Sequence, residues 1–173
     1  MSGTSSRGNP SLGDVARSVA VLGAIVLVLF GIGQLVTVTP DDPAPTVDYE
    51  TAAESSRTIA DFDLLAPTSL PEGWRATSVR YRTGSWHLGV LTDDDEYIGL
   101  EQVRGSTGRA IGRFAKGSRA AGEVTIADAT WSRRIGPDDD ITYVRPDGNM
   151  AVLVTGSAPR DDVERYISSL SAS

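Results

Sequence analysis

The sequence contains no cysteine, a single histidine (His87) and one lysine among its 16 basic residues. Without cysteine the chain has no disulfide, no thiolate metal site, no thiol nucleophile and no lipidated cysteine of the bacterial lipoprotein type. A single histidine excludes a multi-histidine metal site. The formal net charge of −7 argues against nucleic acid as a partner. We therefore expect no metal, no cofactor and no nucleic-acid binding.

One long apolar run is present, the twenty uncharged residues Val19 to Val38. As a helix it would span roughly 30 Å, the hydrocarbon thickness of a bilayer. A cleaved signal peptide is the alternative, but no A-x-A-like site follows the run, so an uncleaved single-pass helix over 18–38 is predicted. Arg7 and Arg17 precede the run and the next basic residue is Arg57. The positive-inside rule then places the N-terminus in the cytoplasm and the rest beyond the plasma membrane.

The apolar run divides the chain into regions of different character. Residues 1–17 have no hydrophobic periodicity and are predicted to form a disordered cytoplasmic tail. Prolines predict an extended spacer over 39–47. Residues 48–173 have room for one core, so a single extracytoplasmic domain is predicted. Beyond the apolar run, 14 basic residues against 22 acidic residues leave a formal charge of −8.

Hydrophobic periodicity predicts an α+β domain with a largely antiparallel sheet and two to three packing helices, which we expect on one face of that sheet. Alternation of apolar and polar residues predicts strands over 75–83, 85–92, 97–105, 123–126, 130–135, 141–145 and 150–156. Helical spacing predicts helices over 48–62, 107–117 and 159–170.

Local signals refine these predictions. In the first helix, Ile59 is expected on the buried side. Thr107 is the expected N-cap of the second helix and Gly117 its expected end. Asp147 and Gly148 predict a tight hairpin between the last two strands.

His87 could act as a base beside Ser85 or Ser132, but no G-x-S-x-G nucleophile elbow occurs. Alternation turns His87 away from the face of Trp86, which favours a solvated or packed strand histidine. Glu101 and Glu123 could form a carboxylate pair, although nothing in the sequence sets their separation. No catalytic residue is therefore assigned.

Charged clusters have simple interpretations. The acidic runs 93–96 and 138–140 lack the spacing of a calcium loop and are read as solvated turns. Several strand arginines could form a basic face for anionic polymers or lipid headgroups, but in an acidic domain interspersed charge pairs are favoured. These are Arg80, Arg82, Arg104, Arg133, Arg134 and Arg145.

Tryptophan could line a carbohydrate or lipid pocket, because aromatic rings stack on sugars and enclose acyl chains. Core packing of Trp74, Trp86 and Trp131 is the favoured interpretation, because tryptophan in a domain of this size is more often part of the core. If a ligand pocket exists, Trp86, Gln102 and Trp131 are its candidate contacts.

Several short motifs follow one another along the chain in a characteristic order. They are Leu70-Pro71-x-Gly73-Trp74, Trp86-His87-Leu88-Gly89, Tyr97-Ile98-x-Leu100-Glu101-Gln102, Trp131 and Val154-Thr155-Gly156. Together with the tail and apolar run, they resemble an uncharacterised family of actinobacterial single-pass membrane proteins, the domain of unknown function numbered 4245. The resemblance implies a cell-envelope setting and brings no catalytic residues.

The sequence thus favours a membrane-anchored binding or interaction module on the outer side of the plasma membrane. Its expected partners are the bilayer, through Val19 to Val38, and an envelope protein, lipid or glycan. The alternative is an envelope enzyme acting on a lipid or glycan substrate, which the missing cysteine and lone histidine disfavour. The sequence does not decide the oligomeric state.

Overall fold

The computed structural model describes residues 45–172. The tail predicted over 1–17, the membrane helix predicted over 18–38 and most of the spacer lie outside these residues. Between residues 45 and 172, no helix is both long enough and apolar enough to cross a bilayer. The end of the predicted spacer is described, and the Val47 amide donates a hydrogen bond of 2.8 Å to the Ala76 carbonyl. That bond ties the start of the domain to the sheet.

Three helices and nine strands are present in the described range. The helices are α1 (Tyr49–Arg57), α2 (Thr107–Phe114) and α3 (Arg160–Ser168). The strands are β1 (Ala66–Pro67), β2 (Arg75–Arg82), β3 (Ser85–Leu91), β4 (Tyr97–Arg104), β5 (Arg119–Ile126), β6 (Ala129–Ile135), β7 (Ile141–Asp147), β8 (Met150–Gly156) and β9 (Leu170–Ser171).

The seven longer strands form one sheet in the order β2-β3-β4-β8-β7-β6-β5, and every neighbouring pair is antiparallel. It consists of two meanders, β2-β3-β4 and β5-β6-β7-β8, joined where β4 pairs with β8. Strands β1 and β9 form a separate antiparallel pair. The predicted α+β class and antiparallel sheet are confirmed for the described residues.

The main core lies between one face of the sheet and the helices α1 and α3, and we call this side the α1/α3 face. Helix α3 contributes three buried residues at helical spacing, Val163, Tyr166 and Ile167. The sheet contributes the inward residues of its central strands, including Trp86, Leu88, Val90, Ile98, Leu100, Tyr143, Val152 and Val154. Burial of this apolar surface is the main stabilising contribution to the domain.

Helix α2 packs on the opposite side of the sheet, which we call the α2 face, so the expectation that the helices share one face is wrong. Its Ala110 is buried against Val144, Ala151 and Leu153. The reason lies in β8, whose residues 150–154 are all buried. A strand that is apolar on both sides needs cover on both sides, which simple alternation in the outer strands does not reveal.

Several boundaries also differ from the predictions. Helix α1 ends at Arg57, and Ile59, expected on its buried side, is 68% exposed because it follows the end of the helix. The N-cap of α2 is Ser106, whose hydroxyl accepts from the Arg109 amide, rather than Thr107. The helix ends at Phe114, before Gly117.

Gln102 holds the connection between α1 and β2 against the core. Its side-chain oxygen accepts a 2.7 Å hydrogen bond from the Leu65 amide, and its side-chain nitrogen donates one of 3.0 Å to the Asp63 carbonyl. Gln102 is fully buried. A buried carboxamide is costly unless it is paired, so these two bonds allow an irregular segment to cover an apolar sheet.

Gly156 lies where β8 ends against the start of β4, and a Cβ there would overlap the carbonyl oxygen of Tyr97 and stand 2.9 Å from its carbon. We expect Gly156→Ala to lower the free energy of unfolding by about 3 kcal/mol, since rigid backbone must move. Gly112→Ala is the matched control: it lies within helix α2 with no atom near its Cβ position, and it should stabilise by roughly 0.5–1 kcal/mol. Urea unfolding of both variants measures this, and equal effects would contradict the close approach.

Candidate functional site

The α2 face is polar where strands β2, β3 and β4 extend past the apolar contacts of helix α2. His87 of β3 lies directly opposite Glu101 of β4. Ser78 of β2 pairs with Gly89, two residues beyond His87, so it lies diagonally next to the imidazole. The three side chains form one hydrogen-bonded row across three strands, which we call the histidine network.

The network is continuous from hydroxyl to carboxylate. His87 Nδ1 lies 2.6 Å from Glu101 Oε1, and His87 Nε2 lies 3.0 Å from Ser78 Oγ. An ionised carboxylate only accepts hydrogen bonds, so Nδ1 carries the proton, and in the neutral imidazole Nε2 accepts from the serine hydroxyl. The His87 and Glu101 side chains are 19% and 16% exposed, so both are sheltered yet reachable.

Two glycines make room for this arrangement. Gly89 and Gly99 are buried neighbours on β3 and β4, on the same face as the network. A Cβ at Gly99 would stand 2.8 Å from the Tyr97 hydroxyl, and one at Gly89 would collide with Ser78 Oγ. The Tyr97 ring and the Ser78 hydroxyl therefore lie close over the sheet, and a side chain at Gly89 or Gly99 would displace them. Burial, and then the negative charge of Glu101, raises the pKa of Tyr97, which keeps its phenol protonated.

A cleft of about 80 Å³ opens beside His87, between the sheet and the end of helix α2. Three arginines line it, Arg80 and Arg82 from β2 and Arg113 from α2, and we call it the arginine cleft. One carboxylate, that of Glu101, also lines the cleft and is hydrogen-bonded to His87. The Arg113 guanidinium lies 4.8 Å above the Phe114 ring. Within residues 45–172, none of these three side chains has an ion pair or a hydrogen bond. Their charges are therefore available to a bound anion.

The other arginines of the predicted basic face are engaged inside the domain. Arg104 forms a 2.6 Å ion pair with Asp61, and Arg145 pairs with Asp147 at 3.4 Å. Arg133 donates to the Ala121 carbonyl, and Arg134 to the Ser118 hydroxyl and carbonyl. The structure thus separates Arg80 and Arg82 from the rest of the predicted basic face.

The predicted pocket contacts lie on the α1/α3 face, away from the histidine network. Trp86 and Gln102 are cross-strand partners and are 1% and 0% exposed. Trp131 lies on β6, borders a small cavity of about 60 Å³ and has the Arg145 guanidinium 5.2 Å above its ring. The three belong to the buried interior, and their role as ligand contacts stays a prediction.

The serine that bonds to His87 is Ser78, not Ser85 or Ser132. Ser85 lies two residues from His87 on the same strand and lines the arginine cleft. Ser132 is exposed on β6, at a distance of several strands. Alternation already places Ser78 and Arg80 on one side of β2, but only the register between strands shows that this side is shared with His87.

The carboxylates considered as a pair are separated by the sheet order. Glu101 lies on β4 near its centre, whereas Glu123 lies on β5 at one edge. In the described part of the chain, no group of three or more acidic or histidine side chains has the arrangement of a metal site. The runs 93–96 and 138–140 fall in turns, and Asp95 pairs with Arg75 at 2.6 Å.

These features define an α+β domain with one closed apolar core and one partly open polar face. The chain belongs to the family described as protein of unknown function (DUF4245), whose model matches residues 7–170. The family predicted from the short motifs is thereby confirmed, while the actinobacterial source and the single membrane pass stay predictions. Comparison with curated proteins gives no match.

The tautomer of His87 tests the network directly, because the chain has one histidine and produced without a histidine tag it gives one pair of imidazole ¹⁵N signals. We expect the neutral ring to be protonated at Nδ1 and not at Nε2, the reverse of the form that free histidine prefers. The reason is the carboxylate at Nδ1.

Glu101→Gln should weaken this tautomer preference, since an amide accepts or donates at Nδ1. Glu123→Gln is the matched control, an exposed glutamate on β5 outside the network, and it should leave the spectrum unchanged. A wild-type ring protonated at Nε2 would contradict the hydrogen-bond assignment.

Proposed function

We propose that this protein is a membrane-anchored module of the cell envelope that binds an anionic group, of the phosphate or carboxylate class, in the arginine cleft. The observation that carries the proposal is the convergence of Arg80, Arg82 and Arg113 on one cleft without anionic partners within residues 45–172.

Like charges on one cleft repel one another, and a bound anion would relieve that repulsion. Guanidinium groups suit this role, because their planar donors match the oxygens of phosphate and carboxylate in pairs. The cleft volume of about 80 Å³ accommodates one such group. The rest of the ligand would then extend over the open polar face.

The surrounding charge supports selectivity. Beyond the apolar run the chain carries 22 acidic against 14 basic residues, and this excess repels anions from most of its surface. An anionic ligand therefore meets a favourable potential where arginines are grouped and unpaired. Such a ligand would be an envelope lipid headgroup or a charged glycan.

Binding can be measured on the full chain in neutral detergent micelles by titration with glycerol phosphate. We expect Arg80→Gln and Arg82→Gln each to weaken binding roughly tenfold, since each removes a charge-assisted hydrogen bond. Arg119→Gln is the matched control: it makes the same change in net charge at an exposed position on β5 and should bind as the wild type does.

One further ligand separates the sources of the anion. A short-chain phosphatidylglycerol that binds more tightly than glycerol phosphate would indicate a lipid headgroup, and equal affinities would indicate the phosphate group alone. Equal weakening by Arg119→Gln would assign the effect to net charge. Absence of glycerol phosphate binding to the wild-type chain, whose three arginine-cleft charges are intact, would overturn the proposal.

We further propose that residues 18–38 anchor the chain in the plasma membrane, with the N-terminus in the cytoplasm and the domain outside. The apolar run and the arginines on its N-terminal side support this orientation. An anchored domain stays near the bilayer surface, where anionic lipid headgroups are concentrated.

The orientation can be tested with single cysteines, because the natural chain has none. On intact cells, a membrane-impermeant maleimide should label Asp94→Cys, in an exposed turn of the domain, and should not label Ser5→Cys in the tail. Both variants should be labelled after lysis, which is the control for thiol reactivity. Labelling of Ser5→Cys alone on intact cells would reverse the orientation.

A further inference from the structure

We propose that the histidine network is a nucleophilic site in which Ser78 attacks carboxylic esters. The hydroxyl, imidazole and carboxylate are joined in the order that serine hydrolases use, with Oγ 3.0 Å from Nε2 and Nδ1 2.6 Å from the carboxylate oxygen. Such geometry is recognised by the roles of the groups and not by sequence position, so the absence of a G-x-S-x-G motif does not argue against it.

The tautomer is the one that catalysis requires. With Nδ1–H donated to Glu101, the Nε2 lone pair faces the Ser78 hydroxyl and accepts its proton. Glu101 also stabilises the imidazolium that forms when the proton is taken up. Glu101 is thus a positioning residue, and Ser78 and His87 are the groups that contact the reacting atoms.

The surroundings of Ser78 offer a donor for the developing oxyanion. The Tyr97 hydroxyl and Ser78 Oγ both lie within 3.0 Å of the point where a Gly89 side chain would begin. The phenol is protonated, as the raised pKa of Tyr97 requires, so it can donate to a carbonyl oxygen bound beside Ser78. Because Gly89 and Gly99 have no side chains, the Tyr97 ring and the Ser78 hydroxyl can both lie over this part of the sheet.

The reaction balances with water as the only co-reactant. Ser78 Oγ bonds to the ester carbonyl carbon while His87 Nε2 takes the hydroxyl proton. The carbon–oxygen bond to the alcohol then breaks, and the departing alcohol takes that proton, which leaves an acyl group on Ser78. Water attacks the acyl carbon as His87 takes one of its protons, and Ser78 leaves with that proton as the carboxylic acid is released.

The arginine cleft suggests the substrate class, and this step rests on the proposed function. Arg80 lies two residues from Ser78 on the same side of β2, about 7 Å along the strand. An anionic group held in the cleft would place a carbonyl several ångströms away beside Ser78. The fitting substrate is an ester that carries a phosphate or carboxylate group near its acyl bond.

The test uses the full chain in neutral detergent and an uncharged fluorophosphonate probe, with the modified residue mapped by mass spectrometry. We expect the probe on Ser78, and at least about 100-fold slower labelling in Ser78→Ala and His87→Gln. Ser132→Ala is the matched control, an exposed strand serine outside the network, and it should label as the wild type does. Absence of label while a known serine esterase is labelled in parallel, or undiminished label in Ser78→Ala, would overturn the proposal.

Hydrolysis of p-nitrophenyl butyrate adds a readout that a purely structural role would not move. We expect Glu101→Gln to lower kcat with little change in KM, since it alters imidazole orientation and not substrate contact. Arg119→Gln changes an exposed arginine of β5 outside the arginine cleft and the histidine network, so it should leave probe labelling and ester hydrolysis unchanged. If the wild-type chain binds glycerol phosphate but is not labelled by the probe, only the hydrolytic site is overturned. If it is labelled at Ser78 but does not bind glycerol phosphate, only the binding function is overturned.

Discussion

The pairing of β4 with β8 is the contact on which the rest of the structure depends. Seven residue pairs join Ile98–Arg104 to Met150–Gly156, and no other pairing connects the two meanders within the described residues. Both strands are central, and β8 is buried on both sides over residues 150–154. That burial requires cover on both faces, which α1 and α3 provide on one and α2 on the other.

The two faces consequently have different roles. The α1/α3 face contains the main core, where Gln102 is satisfied by the backbone of residues 63–65 and the tryptophans are buried. Within residues 45–172, the α2 face is covered by one short helix only, and β2 and β3 extend beyond its contacts. Polar groups on that side keep access to solvent, so Ser78, His87 and Arg80 need no burial to be held in place by the sheet.

Electrostatics follows the same division. Most strand arginines bond to carboxylates or carbonyls of the domain, which is the usual state of charges on an acidic surface. Arg80 and Arg82 depart from this pattern, and together with Arg113 of α2 they line one cleft beside the only histidine of the chain. The binding and the nucleophilic proposals both arise from that juxtaposition, yet they depend on different side chains.

Local sequence determined the secondary-structure elements. Alternation of apolar and polar residues specified β2, β3 and β4, and the helical spacing of Val163 and Tyr166 specified α3. Asp147 and Gly148 specified the last hairpin. It also placed Ser78 and His87 each on one side of its strand. Only the tertiary structure decided that these sides coincide, that Glu101 faces His87 and that α2 brings Arg113 to the same cleft. The reason is physical, since periodicity specifies which way a side chain points within one strand, whereas neighbours and register depend on long-range pairing and packing.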